Sequence, residues 1–351
     1  MKKKILWLLL LAVCVVIFPL TAKETKAETE GDWEFSYYYP GVSVDAYNGT
    51  DENVVVPEKL GGEDVVAIGY NAFSENKILK SIQLPSSINE IFPYAFMGCT
   101  SLEDITIPSS VTEIGDSAFI LTKWLSNKEE ESPYVVVNNI LVAINYDETG
   151  GNIKIPDGIE SISCNLTNVE SIELPKTLEE ISPYTFARCG SLKKVIIPVG
   201  ASLKSIGSNA FYDCTSLEEI NIPSSVTKIE SEAFMGCYNL KKISIPSSVT
   251  YIEKDAFSGT KWIEYERKRN PYVVVNDILI DVETVGSKVV VPQNVKQYAC
   301  EFTNGITEIT LSPSAREINE GLFSHFGCLD NNEYGTVANT ELKKVEIPSG
   351  V

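Results

Sequence analysis

The sequence predicts a repeat solenoid, in which short strands, turns and short helices stack along one axis behind a small β-rich N-terminal cap. Three observations support this fold class. A unit of 23 residues recurs along the chain, each unit carries a short segment of alternating apolar and polar residues, and two irregular stretches between the units are copies of each other.

The first half of each unit has the alternation of a short strand with one buried face. Leu102–Pro108, Leu217–Pro223 and Leu240–Pro246 all read Leu-x-x-Ile-x-Ile-Pro. Pro closes the strand because it has no N–H to donate to a ladder, and its recurrence beside β-branched residues argues against a helix. A unit of this length cannot bury its own Leu and Ile, so we expect the units to stack and their strands to pair.

The second half of each unit ends in a Phe, usually preceded by Ala. Neighbouring Phe residues are 23 apart with one step of 25, and two gaps of 67 and 66 residues are close to three periods each. The Phe positions are Phe73, Phe96, Phe119, Phe186, Phe211, Phe234, Phe257 and Phe323. Inside the gaps, Thr122–Leu141 resembles Thr260–Leu279 at an offset of 138, or six units. We therefore predict about 11 to 12 turns over residues 61–351, with degenerate blocks near 122–165 and 260–300.

The full unit, Leu-x-x-Ile-x-Ile-Pro-x-x-Val-x-x-Ile-x-x-x-Ala-Phe-x-x-Cys, resembles the BspA-like leucine-rich repeat of exported bacterial proteins. The resemblance covers roughly residues 40 to 351. It implies a right-handed leucine-rich-repeat horseshoe, extracellular placement, and adhesion or ligand binding. The segment Asp32–Val56, with the motifs Tyr47–Thr50 and Val54–Pro57, resembles the β-rich lead-in of such arrays, and residues 28–60 are predicted to cap the first turn.

The last unit departs from this pattern. It carries a polar insertion between Gly327 and Thr340, and the sequence given stops at Val351 in the middle of a unit. Two expectations follow: the protein continues beyond this residue, or its last edge is covered by a partner or by self-association with a second copy.

The N-terminus has the three parts of a signal peptide. Lys2, Lys3 and Lys4 precede the apolar run Ile5–Leu20, and small residues follow up to Ala27. We predict a signal peptide over residues 1–27, a secreted or cell-surface protein, and no membrane insertion after cleavage. The alternative is an uncleaved anchor.

Composition narrows the function. The chain has 29 Lys+Arg against 48 Asp+Glu, a net charge of −19, which disfavours nucleic acid and anionic membranes as partners. Its one histidine, His325, lies three residues before Cys328, and no phosphate-binding glycine loop or EF-hand appears. We therefore expect no enzyme, no cofactor and no metal; a glycosidase built from scattered carboxylates is the enzymatic alternative.

Four cysteines share one position in the unit: Cys99, Cys189, Cys214 and Cys237. They are expected to stack in register, either as a metal or disulfide column or, the interpretation we favour, as a small residue filling one buried slot per turn.

Each strand has one outward residue before its closing Ile or Leu, and this residue varies while the inward ones do not. The outward residues are Gln83, Thr106, Glu173, Ile196, Asn221, Ser244, Thr310 and Glu346. We expect the first six to bind an extracellular protein or glycoprotein on the concave strand face. In consecutive strands, Lys193-Lys194, Glu218-Glu219 and Lys241-Lys242 set opposite charges side by side, which predicts that they hold the stack in register.

Trp124 and Trp262 lie in the two duplicated blocks and suggest a different function. Exposed indole rings stack on sugars, so the protein would be a carbohydrate-binding module of a larger exported protein, with a polysaccharide as partner. Two further interpretations stay open: the rings close the apolar seam of an irregular turn, or the whole array is a purely structural surface repeat.

Overall fold

The computed structural model describes residues 27–145, 151–164, 166–283, 287–302, 306–315, 322 and 342–348. The predicted signal peptide up to residue 26, Phe323, His325, Cys328 and the insertion between Gly327 and Thr340 lie outside the described residues.

The strands are short throughout, and most of those in the repeats contain two or three residues. In chain order the first ten are β1 (Glu28–Glu30), β2 (Trp33–Tyr38), β3 (Gly41–Tyr47), β4 (Asn53–Val55), β5 (Lys59–Leu60), β6 (Glu63–Ile68), β7 (Ser81–Gln83), β8 (Glu90–Ile91), β9 (Asp104–Thr106) and β10 (Glu113–Ile114). Next come α1 (Lys123–Glu131), β11 (Tyr134–Val137), β12 (Ile140–Ile144), β13 (Asn152–Lys154), β14 (Ser161–Ile162), β15 (Ser171–Glu173), β16 (Glu180–Ile181), β17 (Lys194–Ile196), β18 (Ser205–Ile206), β19 (Glu219–Asn221), β20 (Lys228–Ile229), β21 (Lys242–Ser244) and β22 (Tyr251–Ile252). The last elements are α2 (Lys261–Arg269), β23 (Tyr272–Val275), β24 (Ile278–Val282), β25 (Lys288–Val290), β26 (Gln297–Tyr298), β27 (Glu308–Thr310) and β28 (Lys344–Glu346).

The predicted repeat solenoid is confirmed, with about 11 turns. Each regular turn contributes one strand to each of two parallel ladders. The first ladder holds the predicted Leu-x-x-Ile-x-Ile strands and forms the sheets β4-β7-β9, β13-β15-β17-β19-β21 and β25-β27-β28. The second ladder includes β6-β8-β10, β12-β14, β16-β18-β20-β22 and β24-β26. Sequence reasoning missed this ladder, because two residues are too few to show an alternation.

The N-terminal strands extend the second ladder. Strand β1 pairs antiparallel with β2, β2 pairs antiparallel with β3, and β3 pairs parallel with β6. On the core side of this sheet Phe35, Val42 and Val44 are buried. That these strands protect the first turn as a cap stays a prediction.

All three sides of a regular turn, namely the two ladders and the segment that carries the Phe, contribute buried residues to the core. The first ladder buries the middle residue of its strands, such as Ile82 and Ile220, and the second buries the last, such as Ile91 and Ile229. The third side carries the Phe column, in which neighbouring rings lie 5.0 to 5.7 Å apart and within 14° of parallel. Because each ring covers the next, burial depends on the stack and not on a single unit.

The two gaps in the Phe series each begin with an altered turn. Helix α1 and the hairpin β11–β12 form the first, and α2 with β23–β24 forms the second. Strands β12 and β24 enter the second ladder, where they pair with β14 and β26. Each altered turn is followed by a shorter one, β13–β14 or β25–β26, so the predicted degenerate blocks consist of helix, hairpin and short turn.

Local chemistry explains both helices and both hairpins. The buried hydroxyls of Thr122 and Thr260 accept from the backbone N–H of Leu125 and Ile263, which makes them N-caps. The hairpin turns place Asn138 and Asn276 at positive φ, which Asn tolerates well. Each Asn amide donates to two carbonyls of the preceding regular turn. Within the described residues neither helix, at nine residues, is long enough to cross a bilayer.

Candidate functional site

The outward residues lie side by side along the first ladder. Gln83 pairs with Thr106, Glu173 with Ile196, and Asn221 with Ser244. Gln83, Thr106, Asn221 and Ser244 are exposed, and Glu173 and Ile196 are half-buried. Because the strands are parallel and in register, the six side chains form rows perpendicular to the strands.

These residues do not share one continuous surface. Strand β9 pairs only with β7 and β13 only with β15 in the described part of the chain. Helix α1 occupies the position in the next unit where the next first-ladder strand would stand. The amide of Trp124 on this helix donates to the carbonyl of Leu102, directly before β9. Gln83 and Thr106 therefore form one row, and Glu173, Ile196, Asn221 and Ser244 form a second.

Three residues at the same outward position were missed by sequence reasoning. Val55, Lys154 and Val290 pair in register with Gln83, Glu173 and Thr310. Val55 and Val290 are 67% and 63% exposed, unusual for Val. The available signal was the Val-Val-Val-Pro pattern of the first and third sheets, in which an outward Val replaces the polar residue.

The predicted charge alternation is confirmed by the contacts between turns. Glu219 lies between Lys194 and Lys242 in the ladder, and Lys242 Nζ is 3.7 Å from its carboxylate. Lys241 donates to Glu218 at 2.6 Å, a hydrogen bond that lowers the pKa of the Glu218 carboxyl. Because solvent and salt screen these exposed pairs, they favour the correct register more than they raise stability.

Both tryptophans end a Phe stack. The Trp124 ring lies 4.8 Å from Phe119 and is 8% exposed, while Trp262 lies 5.1 Å from Phe257 and is half-buried. Trp124 therefore has little free surface for a ligand, whereas Trp262 retains part of its ring face.

A small cavity of about 150 Å³ opens beside Trp262 in the second altered turn. It is lined by Trp262, Glu266, Asn270, Tyr272 and the three valines 273–275. Its polar groups are already engaged: Arg269 bonds the Glu266 carboxylate, Asn270 Oδ1 accepts from the Tyr272 amide, and Tyr272 Oη accepts from Val290 N–H. This volume is below the ~300 Å³ usual for ligand pockets.

The cysteine column forms the buried slot that we favoured. Cys99, Cys189, Cys214 and Cys237 are free and at most 2% exposed. Cys99 Sγ donates to the carbonyl of Phe73 in the preceding turn at 2.9 Å, and Cys237 does the same to Phe211 at 3.0 Å. Burial raises the pKa of the Cys99 thiol to about 11 and that of Cys189 to about 12, which keeps both protonated. In the described ranges no three His, Cys, Asp or Glu side chains are grouped to hold a metal ion.

Several solved structures resemble this chain. The leucine-rich repeat protein of T. pallidum is 24% identical, with 71% of this chain and 98% of that chain covered at a TM-score of 0.29. A leucine-rich cell surface protein of Faecalibacterium prausnitzii is 19% identical, with coverages of 94% and 96% and a TM-score of 0.29. The pneumococcal vaccine antigen PcpA is 15% identical, with coverages of 83% and 83% and a TM-score of 0.24. No match was found among curated proteins.

The repeat itself identifies the family. Six copies of the BspA type leucine-rich repeat region match residues 53–134 and 157–267, more than half of the chain, and contain the Ile, Phe and Cys positions that form the core. The protein belongs to the BspA-type leucine-rich repeat family.

Proposed function

We propose that this protein is a secreted or cell-surface binding protein, adhesin-like and without catalysis of its own, that recognises a protein or glycoprotein through the exposed face of its first ladder. The predicted leader and the family support an extracellular position. The binding surface proposed is the second row, formed by Glu173, Ile196, Asn221 and Ser244.

The observation that carries this proposal is the contrast between the two sides of one ladder. The inward residues of β15 and β19, Ile172 and Ile220, are at most 1% exposed and nearly invariant among the turns. The outward residues beside them range over Glu, Ile, Asn and Ser in consecutive strands. A rigid, evenly spaced row with variable chemistry is the arrangement that recognition surfaces use, because specificity then changes without loss of the core.

The test is a binding screen of residues 28–351 against extracellular-matrix glycoproteins and purified polysaccharides, at two salt concentrations. A saturable protein or glycoprotein ligand is expected. The paired variant Asn221→Lys/Ser244→Lys should weaken its binding about tenfold or more, since two bulky charges would occupy two adjacent positions of the row.

A matched control comes from the same turns. Thr227 and Thr250 are exposed and precede β20 and β22 on the second ladder. Thr227→Lys/Thr250→Lys adds the same two charges to the other face and should leave binding within about twofold, because rim charges alone act weakly. Equal weakening by both pairs would show that charge, and not the row, determines binding.

The cavity beside Trp262 favours a second candidate, a carbohydrate-binding module of a larger exported protein. Trp262→Leu should then abolish a glycan signal that the first-ladder variants leave intact, and Trp124→Leu, which changes the buried ring, serves as its comparison. Glycan affinity unchanged in a folded Trp262→Leu protein would contradict this candidate. If neither panel gives a ligand, a purely structural surface repeat is the better description.

A further inference from the structure

A cluster of aromatic and acidic side chains lies on the outer face of the N-terminal sheet, on the second ladder and away from the rows described above. We call it the tyrosine–carboxylate face; it consists of Tyr38, Asp45, Tyr70, Glu90, Phe92 and Glu113. Tyr38 and Tyr70 are 36% and 53% exposed. Both rings contact Phe92, at 5.5 and 4.8 Å between centroids.

Small residues lie beside two of the carboxylates of this face. Ala67 lies beside Glu90 in the ladder, and Gly69 follows at the end of β6. A Cβ on Gly69 would lie 2.8 Å from the carbonyl oxygen of Val44 and 3.2 Å from a carboxylate oxygen of Asp45. A larger side chain therefore does not fit at position 69 unless this backbone moves.

The carboxylates of this face have no cationic partner. Tyr38 Oη donates to Glu90 at 2.5 Å and Ser36 Oγ donates to Asp45 at 3.1 Å, but within the described ranges no Lys or Arg forms an ion pair with Asp45, Glu90 or Glu113. The first ladder differs, because its Lys and Glu residues neutralise each other between turns.

The electrostatic consequence is a concentrated negative potential. Burial, followed by the charge of Glu113, raises the pKa of the Glu90 carboxyl, and burial raises that of Asp45. The hydrogen bond to Glu90 is the main cause that raises the pKa of Tyr38 to about 12. A positive charge close to Glu90 and Asp45 would stabilise the ionised form of both carboxylates, and the faces of the neighbouring aromatic rings also attract cations.

We propose that the tyrosine–carboxylate face docks an Arg- or Lys-bearing segment of a partner protein, whose cationic side chains pair with Glu90 and Glu113 and stack on Tyr70 and Phe92. The negative charge of the face favours a cationic partner of this class, since anionic lipids and nucleic acids would be repelled. This contact is separate from the first-ladder binding surface, so either one can fail alone.

The test uses fluorescence anisotropy with three labelled peptides of equal length, in which Gly alternates with Arg, Gln or Glu. Each is titrated with the purified protein at about 50 mM and about 300 mM salt. The Arg peptide should bind, more weakly at the higher salt, and the other two should not. Glu90→Gln, which keeps an acceptor for Tyr38, and Tyr70→Ser should each weaken binding about two- to fivefold.

Matched controls separate this face from the general acidity of the chain. Glu180 is exposed at the same position of the second-ladder strand as Glu90, and Tyr238 is 59% exposed on a distant turn. Glu180→Gln and Tyr238→Ser should leave affinity unchanged. Circular dichroism verifies the fold of all four variants.

Three outcomes would overturn the proposal. The first is no binding of the Arg peptide at low salt, and the second is equal weakening by the control variants. The third is loss of affinity in Glu90→Gln with none in Tyr70→Ser, because the aromatic rings would then have no part in recognition.

Discussion

The side chain of Thr260 begins helix α2 from a fully buried position, at 0% exposure. Its hydroxyl donates to the carbonyl of Phe257 at 2.9 Å and accepts from the amide of Ile263 at 3.2 Å. One oxygen therefore joins the Phe column to the first turn of the helix. Thr260→Val keeps the shape of the side chain and removes both hydrogen bonds.

The size of the effect follows from these contacts. Loss of an N-cap costs about 0.5–2 kcal/mol, and each buried backbone group left without a partner adds about 1–3 kcal/mol. The Ile263 amide is the group that the cap satisfies, so the two figures overlap for it. The Phe257 carbonyl keeps a hydrogen bond from the Thr260 backbone N–H at 3.2 Å, so loss of the hydroxyl there costs only about 0.5–1.5 kcal/mol. We expect Thr260→Val to lower the free energy of unfolding by about 1–3 kcal/mol, and Thr260→Ser, which keeps the hydroxyl, by about 1 kcal/mol or less.

Urea denaturation followed by far-UV circular dichroism and by Trp fluorescence measures this difference. Trp262 lies 5.1 Å from Phe257, so its emission reports on the junction that the cap maintains. Because a solenoid can unfold turn by turn, hydrogen exchange of the α2 amides is needed to show where stability is lost. Two results would refute this reasoning: a Thr260→Val protein whose free energy of unfolding is within about 0.5 kcal/mol of the wild type, or one that is no more destabilised than Thr260→Ser.

Three further changes test other parts of the solenoid. Phe211→Ala removes a ring held between two parallel neighbours at 5.0 and 5.1 Å and should cost about 3–5 kcal/mol in urea denaturation, with Phe211→Leu costing clearly less. Asn276→Ala should destabilise the β23–β24 hairpin by about 2–3 kcal/mol and speed its hydrogen exchange, because two hydrogen bonds of 2.8 and 2.9 Å are lost at a φ of 49°; Asn276→Gly, which tolerates that φ, isolates the hydrogen bonds. Burial raises the pKa of the Cys99 thiol to about 11 in the folded state, against about 9 in the unfolded chain. The contribution of this group to the free energy of unfolding is therefore complete below pH 9. It should be lost by about 1.4 kcal/mol per pH unit as the pH rises from 9 towards 11. Cys99→Ala should flatten the measured pH dependence by that amount, and an unchanged slope would show that the thiol does not contribute.

The residues that recur in every turn were predictable, because their common period shows which residues stack on each other in the core. The Phe and Cys positions recur at one period, so their columns follow from stacking alone. The second ladder did not follow, since its strands, such as Glu90–Ile91, are defined only by hydrogen bonds to the neighbouring turns and carry no local alternation. The altered turns were located by duplication, but their helices depend on Thr122 and Thr260, whose capping role becomes visible only when their burial is known.

The same limit of sequence-based prediction applies to the outward residues of the candidate site. Their arrangement in the structure also limits the length of a ligand that binds one row. Every residue predicted there lies at the predicted strand position, yet the surface is divided into sheets of three, five and three strands. Sequence spacing places Thr106 and Glu173 on the same face but cannot show that helix α1 replaces the first-ladder strand of the unit after β9. At ~4.8 Å between strands, the five-stranded row extends only about 19 Å from first to last strand. A ligand that binds this row alone has a footprint of that length, whereas a longer one must pass over a helix of an altered turn. Substitutions at Thr106 and at Asn221 would then weaken binding together only for a ligand of the second kind.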